Sequence, residues 1–198
     1  RIPEGDRNTK AGQWVNTYGV DLFHATVGLL GLGRIGKAVA RRCRGFDADV
    51  LAYDPYFDEG FARECRVERA DSPEQVLREA DFVSIHVPYM EQTHHLVDDR
   101  LLRLMKPDSC LINTSRGAVV DEKALIDALK NESIAGAGLD VFEKEPPSPD
   151  NPLFKFDNVV STPHSAALSR ECELKLAMAA AQAVVDYVEG RQPMYVYN

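Results

Sequence analysis

The chain has 198 residues, of which 44% are hydrophobic and 27% charged, with a formal net charge of −8 and an isoelectric point near 5.1. This apolar content suffices for the core of one large domain, and the acidic balance argues against nucleic-acid binding, which needs a basic patch. No apolar run approaches the roughly 18 residues of a membrane span, and the N-terminus is too polar for a signal peptide.

Regular patterning begins only after a polar stretch, residues 1–22, which we expect to be a connecting arm. Continuous apolar runs bounded by turn residues then predict strands. The predicted strands are residues 25–30, 49–53, 82–87, 110–113, 134–141 and 159–161. Helical spacing of apolar residues predicts helices at residues 34–44, 121–131 and 168–189, the last ended by Gly190.

A further helix is predicted from its start signal. Ser72 can cap it, Pro73 suits the first helical position, and Gln75 can complete a capping box. Strands and helices therefore alternate at least four times, and the strands are apolar throughout. This pattern predicts an α/β domain with a doubly wound, mostly parallel sheet whose two faces are covered by helices.

The four cysteines carry little functional signal. None forms a C-x-x-C pair, and none has metal-ligand spacing with a histidine. We therefore expect reduced thiols, no metal site and a cytoplasmic protein. The cysteines are Cys43, Cys65, Cys110 and Cys172.

A glycine-rich loop, residues 31–36, reads Gly-Leu-Gly-Arg-Ile-Gly directly between a predicted strand and a predicted helix. In that context the pattern predicts a nucleotide-binding loop. Gly31 permits the tight turn, Gly33 lets the backbone approach a pyrophosphate, and Gly36 lets the helix pack closely on the strand. The helix N-terminus then offers N–H groups to the anion.

Asp54 ends the next predicted strand, 18 residues after Gly36. An acidic residue about 20 residues beyond the loop can accept hydrogen bonds from the ribose hydroxyls of NAD, and it would repel the 2′-phosphate of NADP. Flavin and S-adenosylmethionine sites use similar loops. These residues alone therefore predict a dinucleotide or adenosyl ligand and leave the reaction open.

Three later segments narrow the choice. Residues 113–117 read Asn-Thr-Ser-Arg-Gly, residues 139–146 read Leu-Asp-Val-Phe-Glu-Lys-Glu-Pro, and residues 161–164 read Ser-Thr-Pro-His. In this order, behind the glycine loop and Asp54, the chain resembles the D-isomer-specific 2-hydroxyacid dehydrogenases from about residue 10 to its end. The resemblance implies a Rossmann-type NAD-binding domain. It also implies an NAD-dependent enzyme that interconverts a 2-keto acid and a D-2-hydroxy acid, such as phosphoglycerate dehydrogenase or hydroxypyruvate or glyoxylate reductase.

The resemblance assigns three catalytic residues, and the chemistry suits their types. It implies that His164 donates the proton to the developing alkoxide, a role for which histidine is suited near neutral pH. Glu145 is implied to orient the imidazole and to favour its charged form. Arg116 is implied to bind the substrate carboxylate with its planar fork and to polarise the keto oxygen.

Softer assignments concern the cofactor. Arg34 and Ile35 are implied to touch the pyrophosphate, Val87 and Pro88 to line the adenosine side, and Asp140 to lie near the nicotinamide carboxamide. Thr93 and Thr114 are implied to lie near the phosphates and the nicotinamide ribose. The expected cofactor-binding residues are Gly31, Gly33, Arg34, Ile35, Gly36, Asp54, Val87, Pro88, Thr93, Thr114, Arg116, Asp140 and His164. His24, His94 and His95 match no catalytic position, and we expect them on the surface or behind the site.

The chain is shorter than the resemblance implies. It begins where such a protein already crosses into its cofactor domain, so most of a substrate domain is expected to be absent. Residues 23–165 are expected to form the dinucleotide-binding domain, and residues 166–198 a helix and tail returning towards the substrate domain. We expect the isolated chain to bind NAD but turn over poorly, because cleft closure excludes water and sets the hydride geometry.

Two alternatives stay open, together with the substrate and the physiological direction. The corepressor branch of the family keeps the arginine, glutamate and histidine, yet acts by NADH-dependent assembly with partners. Turnover of a 2-keto acid would exclude that reading. An adenosyl-dependent transferase would leave the ordered triple unexplained, and it would prefer S-adenosylmethionine to NADH. Family members are usually homodimers joined through the cofactor domain, so we expect a dimer.

Overall fold

Seven short apolar runs form one parallel sheet in the computed structural model, which describes residues 1–194. The strand order is β3-β2-β1-β4-β5-β6-β7, and every neighbouring pair is parallel. This confirms the predicted doubly wound α/β fold. The strands are β1 (Thr26–Leu30), β2 (Asp49–Tyr53), β3 (Val67–Arg69), β4 (Phe82–Ile85), β5 (Cys110–Asn113), β6 (Gly136–Leu139) and β7 (Val159–Ser161).

Apolar side chains cover both faces of the sheet. Val27 and Leu29 of β1 belong to one core cluster, whereas Leu30 belongs to the other. Successive residues of a strand point to opposite faces, so one strand supplies both cores. This explains why the strands are apolar runs without polar alternation.

Helices connect the strands, and several begin at a side-chain cap. Asp58, Ser72, Asp98 and Asp121 each accept a hydrogen bond from a backbone N–H in the first turn of their helix, which satisfies donors that lack helical partners. The helices of the first unit are α1 (Ile2–Lys10), α2 (Arg34–Cys43), α3 (Glu59–Cys65), α4 (Pro73–Glu79), α5 (Asp99–Leu102) and α6 (Glu122–Lys130).

The structure differs from the sequence in local detail. The first part of the expected connecting arm is helical as α1, where Pro3 occupies the first turn and Lys10 pairs with Asp6 at 2.8 Å; its role as an arm stays a prediction. Ser72 caps α4 as predicted, but Gln75 accepts its hydrogen bond from the N–H of Asp71, so the expected capping box does not form. Strands β4 and β6 are also shorter than their apolar runs, and α3, β3 and α5 were not predicted.

The chain divides into two compact units, residues 1–163 and 164–198. The second unit contains the predicted long helix, α7 (Arg170–Val188), with Ser169 as its cap. Gly190 ends it with φ +73°, as predicted. The expected tail includes residues 195–198, which lie outside the described residues. Among the residues described, no helix combines the length and apolar character needed to cross a membrane.

Candidate functional site

The predicted site residues of the first unit follow successive strands of the sheet. In a parallel sheet the carboxyl ends of all strands meet at one edge, where ligands bind at the point at which the strand order reverses. Here the order reverses between β1 and β4. The segments that follow the strands are residues 31–36 after β1, Asp54 after β2, residues 86–88 after β4, residues 114–116 after β5 and residues 140–145 after β6.

The glycine loop needs glycine where the backbone is crowded and leaves space where a ligand would approach. Gly31 has φ +101°, and a Cβ there would lie 2.8 Å from the carbonyl carbon of His86. A Cβ on Gly36 would collide with the carbonyl oxygen of Gly31. A Cβ on Gly33 would meet nothing within 4 Å. The loop therefore fits a pyrophosphate that approaches the backbone at Gly33.

The first turn of α2 is available to an anion. Gly33 is the N-cap residue, and in the part of the chain that the structure describes no side chain caps this helix or places a carboxylate in its first turn. Arg34 and Ile35 lie exposed at this end. Uncapped N–H groups and the positive end of the helix dipole favour phosphate binding.

Asp54 is bound to the loop that it was expected to complement. Its Oδ2 accepts the N–H of Leu32 at 2.7 Å, and its Oδ1 accepts the N–H of Tyr56 at 2.8 Å. A carboxylate offers about four lone-pair positions, so acceptor capacity remains for ribose hydroxyls. The same side chain thus fixes the glycine loop against the end of β2.

His86 lies near the end of the predicted strand 82–87, and the structure places it against the glycine loop. Its backbone touches Gly31, and its Nε2 lies 3.0 Å from Oγ of Ser84. Burial lowers the pKa of His86 to about 4. At neutral pH a neutral imidazole therefore lies next to the glycine loop. A histidine that ends an apolar strand is the only sequence signal for this role.

Hydroxyl groups tie the loops after β4 and β5 together. Ser115 Oγ donates to the carbonyl of Val87 at 2.7 Å. Thr93 Oγ1 donates to the carbonyl of Pro88 at 2.7 Å and accepts the N–H of Met90 at 2.8 Å. Thr93 therefore shapes the loop after β4, and its expected contact with the cofactor stays a prediction.

A buried amide organises the turn that carries Arg116. Asn113, only 1% exposed, donates through Nδ2 to the carbonyl of Arg116 at 3.0 Å and accepts the N–H of Ser115 at 3.0 Å. Thr114 and Arg116 are both exposed on this turn. Because both hydrogen bonds lie within this turn, Asn113 holds Arg116 at the end of β5. The sequence motif includes Asn113 but does not indicate this role.

The segment after β6 carries the two predicted acidic residues. Asp140 is 3% exposed, its N–H donates to the carbonyl of Asn113, and its Oδ1 accepts from Thr162 Oγ1 at 2.5 Å. Glu145 is exposed, and its Oε1 accepts the N–H of Phe142 at 3.0 Å. Asp140 thus links the ends of three strands, whereas Glu145 faces solvent at the same edge of the sheet.

His164 is the first residue of the second unit. It is exposed and has φ +50°. It follows β7 by three residues along the chain. In the first unit the segments that carry Arg116 and Glu145 start from the same edge of the sheet. The catalytic role assigned to His164 stays a prediction.

A family model described as "D-isomer specific 2-hydroxyacid dehydrogenase, NAD binding domain" matches residues 1–166. The chain is 45% identical to a glyoxylate reductase from Korarchaeum cryptofilum, covering 100% of this chain and 61% of that protein. It is 42% identical to a D-3-phosphoglycerate dehydrogenase from Archaeoglobus fulgidus, covering 96% of this chain and 36% of the relative. The chain thus spans about three fifths or less of the length of these relatives.

A solved structure gives the same picture. The D-lactate dehydrogenase with NAD+ from Lactobacillus jensenii superposes with a TM-score of 0.88 at 31% identity, covering 100% of this chain and 63% of that one. All three of these relatives are named as reductases or dehydrogenases.

The neutral state of His86 predicts a pH dependence of stability. The folded-state pKa near 4 lies below the value of about 6.5 expected after unfolding. The unfolded chain therefore binds this proton first as the pH falls. The stability associated with the neutral His86 is fully present above pH 6.5. As the pH falls to 4, the free energy of unfolding decreases by at most about 3 kcal/mol because of this group. Urea unfolding at pH 7, 6, 5 and 4 measures it.

His86→Gln should remove this component of the pH slope of the unfolding free energy. His24→Gln, at an exposed histidine, is the matched control and should keep it. Equal slopes in wild type and His86→Gln would contradict a buried neutral imidazole at this position.

Proposed function

The chain belongs to the D-isomer specific 2-hydroxyacid dehydrogenase family, whose NAD-binding domain it forms, and we propose that the whole protein interconverts a 2-keto acid and a D-2-hydroxy acid. NAD is the cofactor. One observation carries the proposal. The glycine loop, Asp54, Arg116 and Glu145 all follow strands of one parallel sheet, so the residues proposed to bind the cofactor and an exposed cation lie at the same edge.

Arg116 is proposed to bind the substrate. Bound NADH supplies the hydride. The exposed guanidinium of Arg116 can hold the substrate carboxylate through two parallel hydrogen bonds and stabilise charge on the keto oxygen. Its Nη1 bonds the carbonyl of Ser115 at 2.7 Å, which restricts the side chain. The names of the relatives support glyoxylate or 3-phosphohydroxypyruvate as substrates, and hydroxypyruvate is the third candidate.

His164 and Glu145 are proposed to handle the proton. His164 would donate to the alkoxide oxygen in reduction and accept from the hydroxyl in oxidation. Glu145 would orient the imidazole and stabilise its charged form. The bond from Phe142 N–H to Glu145 supports this part, because it restrains the carboxylate. The sequence resemblance supports the pairing of the two residues.

The remaining predicted contacts form the proposed NAD site. Asp54 would accept from the adenosine ribose, and the uncapped turn of α2 would bind the pyrophosphate. The proposed cofactor-binding residues are Gly31, Gly33, Arg34, Ile35, Gly36, Asp54, Val87, Pro88, Thr93, Thr114, Arg116, Asp140 and His164.

We also propose a cytoplasmic homodimer joined through the cofactor domain. Large apolar side chains of the arm support the dimer, since Trp14 is 90% exposed and Tyr18 86% exposed. Exposed apolar patches of this kind mark protein interfaces. The absence of a C-x-x-C pair or a disulfide framework in the sequence supports the location.

Turnover tests the proposed reaction. The whole protein should oxidise NADH, followed at 340 nm, when glyoxylate, hydroxypyruvate or 3-phosphohydroxypyruvate is added. His164→Gln should lower kcat by about 10²–10⁴-fold, because the proton donor is lost, with a far smaller change in the dissociation constant of NADH. Failure of the whole wild-type protein to reduce any 2-keto acid would contradict the proposed function.

Asp54 predicts cofactor preference. Calorimetric titration should show NADH binding at least about tenfold more tightly than NADPH, because the carboxylate repels a 2′-phosphate. Asp54→Asn should abolish most of this ratio. Asp71→Asn, at an exposed aspartate, should leave it unchanged. Equal affinity of the wild-type chain for both cofactors would overturn the role given to Asp54.

Sedimentation velocity tests the dimer. The wild-type protein should sediment as a dimer, and Tyr18→Ser should shift it towards monomer, because burial of an aromatic side chain contributes roughly 1.5–3 kcal/mol. Tyr56→Ser is the matched control, since Tyr56 is 93% exposed on another loop. A monomeric wild type, or equal shifts in both variants, would count against an interface at the arm.

A further inference from the structure

Glu143 lies two residues before the proposed catalytic Glu145, in a segment without regular secondary structure that follows β6. The start of this segment is held by burial, because Val141 is 2% and Phe142 6% exposed. The Phe142 ring also meets the ring of Phe154 edge-on at 5.5 Å. Beyond Phe142 the chain reaches the surface, so its course there depends on polar contacts.

Those contacts centre on Glu143 and join three parts of the fold. The N–H of Glu143 donates to Oε2 of Glu122 at 3.1 Å, and the N–H of Glu122 donates to Oε1 of Glu143 at 3.1 Å. His95 Nε2 lies 2.7 Å from the same Oε1. We name the set of His95, Glu122 and Glu143 the Glu143 clasp. It fastens the segment after β6 to the start of α6 and to the loop of His95.

The clasp brings two carboxylates together, and the surroundings offset their repulsion. Both lie at the N-terminus of α6, where N–H groups and the helix dipole favour negative charge. The imidazole of His95 donates to Glu143, and Asn151 Nδ2 donates to Glu122 Oε1 at 2.8 Å. Each carboxylate therefore has dedicated donors and a defined position.

His95, Glu143 and Asp121 also lie close enough together to suggest a cation site. Two ligands that share one ion at about 2.1 Å are roughly 3.0–3.4 Å apart. The Nε2 to Oε1 distance of 2.7 Å is shorter and is that of a charge-assisted hydrogen bond. In addition, Asp121 Oδ1 accepts the N–H of Ala124 as the cap of α6. The geometry thus favours a structural clasp over metal ligation.

Glu145 is attached to the same backbone. Its Oε1 accepts the N–H of Phe142, so its carboxylate is placed relative to the segment that the clasp holds. The segment also presses on the turn of Arg116, because a Cβ on Gly117 would collide with the carbonyl group of Phe142. A shift of this segment would therefore move Glu145 and disturb the neighbouring turn.

We propose that Glu143, held by His95 and Glu122, is a positioning residue that sets the Glu145 carboxylate for proton transfer. The proposal rests on the proposed function, in which Glu145 orients His164. Displacement of a catalytic group by about 1 Å costs up to about 10²-fold in rate. The effect is expected in kcat, because among the described residues the polar partners of Glu143 are Glu122 and His95, which lie outside the glycine loop and are not Asp54.

Steady-state kinetics of the whole protein test the proposal. Glu143→Ala should lower kcat at least about tenfold without raising KM for NADH. Glu143→Gln keeps an acceptor for both donors and should restore kcat to within about threefold of wild type. Glu79→Ala, at an exposed glutamate, should leave kcat unchanged. Wild-type kcat in Glu143→Ala would overturn the proposal.

Amide hydrogen exchange tests positioning without turnover. In Glu143→Ala the N–H of Phe142 should exchange at least about tenfold faster, because its bond to Glu145 loses its fixed partner. The amides of the central strands should keep their protection. An unchanged exchange rate at the Phe142 N–H would overturn the proposal that Glu143 positions Glu145. If the wild-type protein reduced no 2-keto acid, the proposed function would be contradicted, and the exchange rates alone would decide whether Glu143 positions Glu145.

Discussion

The contact between the loops after β1 and β4 is the constraint on which the candidate site depends. Gly31 packs against the backbone of His86, and Gly36 packs against Gly31. These contacts place the start of α2 at the point where the strand order reverses. Any side chain at Gly31 or Gly36 would separate the two loops, and the uncapped N–H groups of α2 would then no longer face the crevice that parallel strands create.

Polar groups at the same edge serve the scaffold and the proposed chemistry together. Asp54 accepts the N–H of Leu32 and still has acceptor capacity, so one carboxylate both fixes the loop and can meet a ribose. Burial keeps His86 neutral beside the loop. Because the unfolded chain binds this proton more readily, the protein loses stability as the pH falls. The buried amide of Asn113 makes both of its hydrogen bonds within the turn that carries Arg116. Both hydrogen bonds of the Asn113 side chain are needed for stability, because a buried amide without partners would lower the free energy of unfolding.

The family resemblance and NAD, both expected from the sequence, are confirmed, as is the fold class. The fold class and the family could be predicted because the glycine loop, Asp54 and the Arg116 segment are short sequence motifs, each of which directly follows a predicted strand. The sequence reading failed where local signals were weak. Helix α1 has few apolar residues, and α3 and α5 are 7 and 4 residues long. Such short elements are stabilised by packing and caps more than by periodicity.

The sequence by itself determined the alternation of strands and helices, the nucleotide loop and the residue types suited to hydride-transfer chemistry. These features depend on neighbours close along the chain. Only the tertiary structure decided that Asn151 bonds Glu122, that His86 lies neutral against Gly31, and that Glu143 meets Glu122 and His95. Side-chain partners more than 20 residues apart are chosen by the packing of strands and helices in space, and no local pattern in the sequence records that choice.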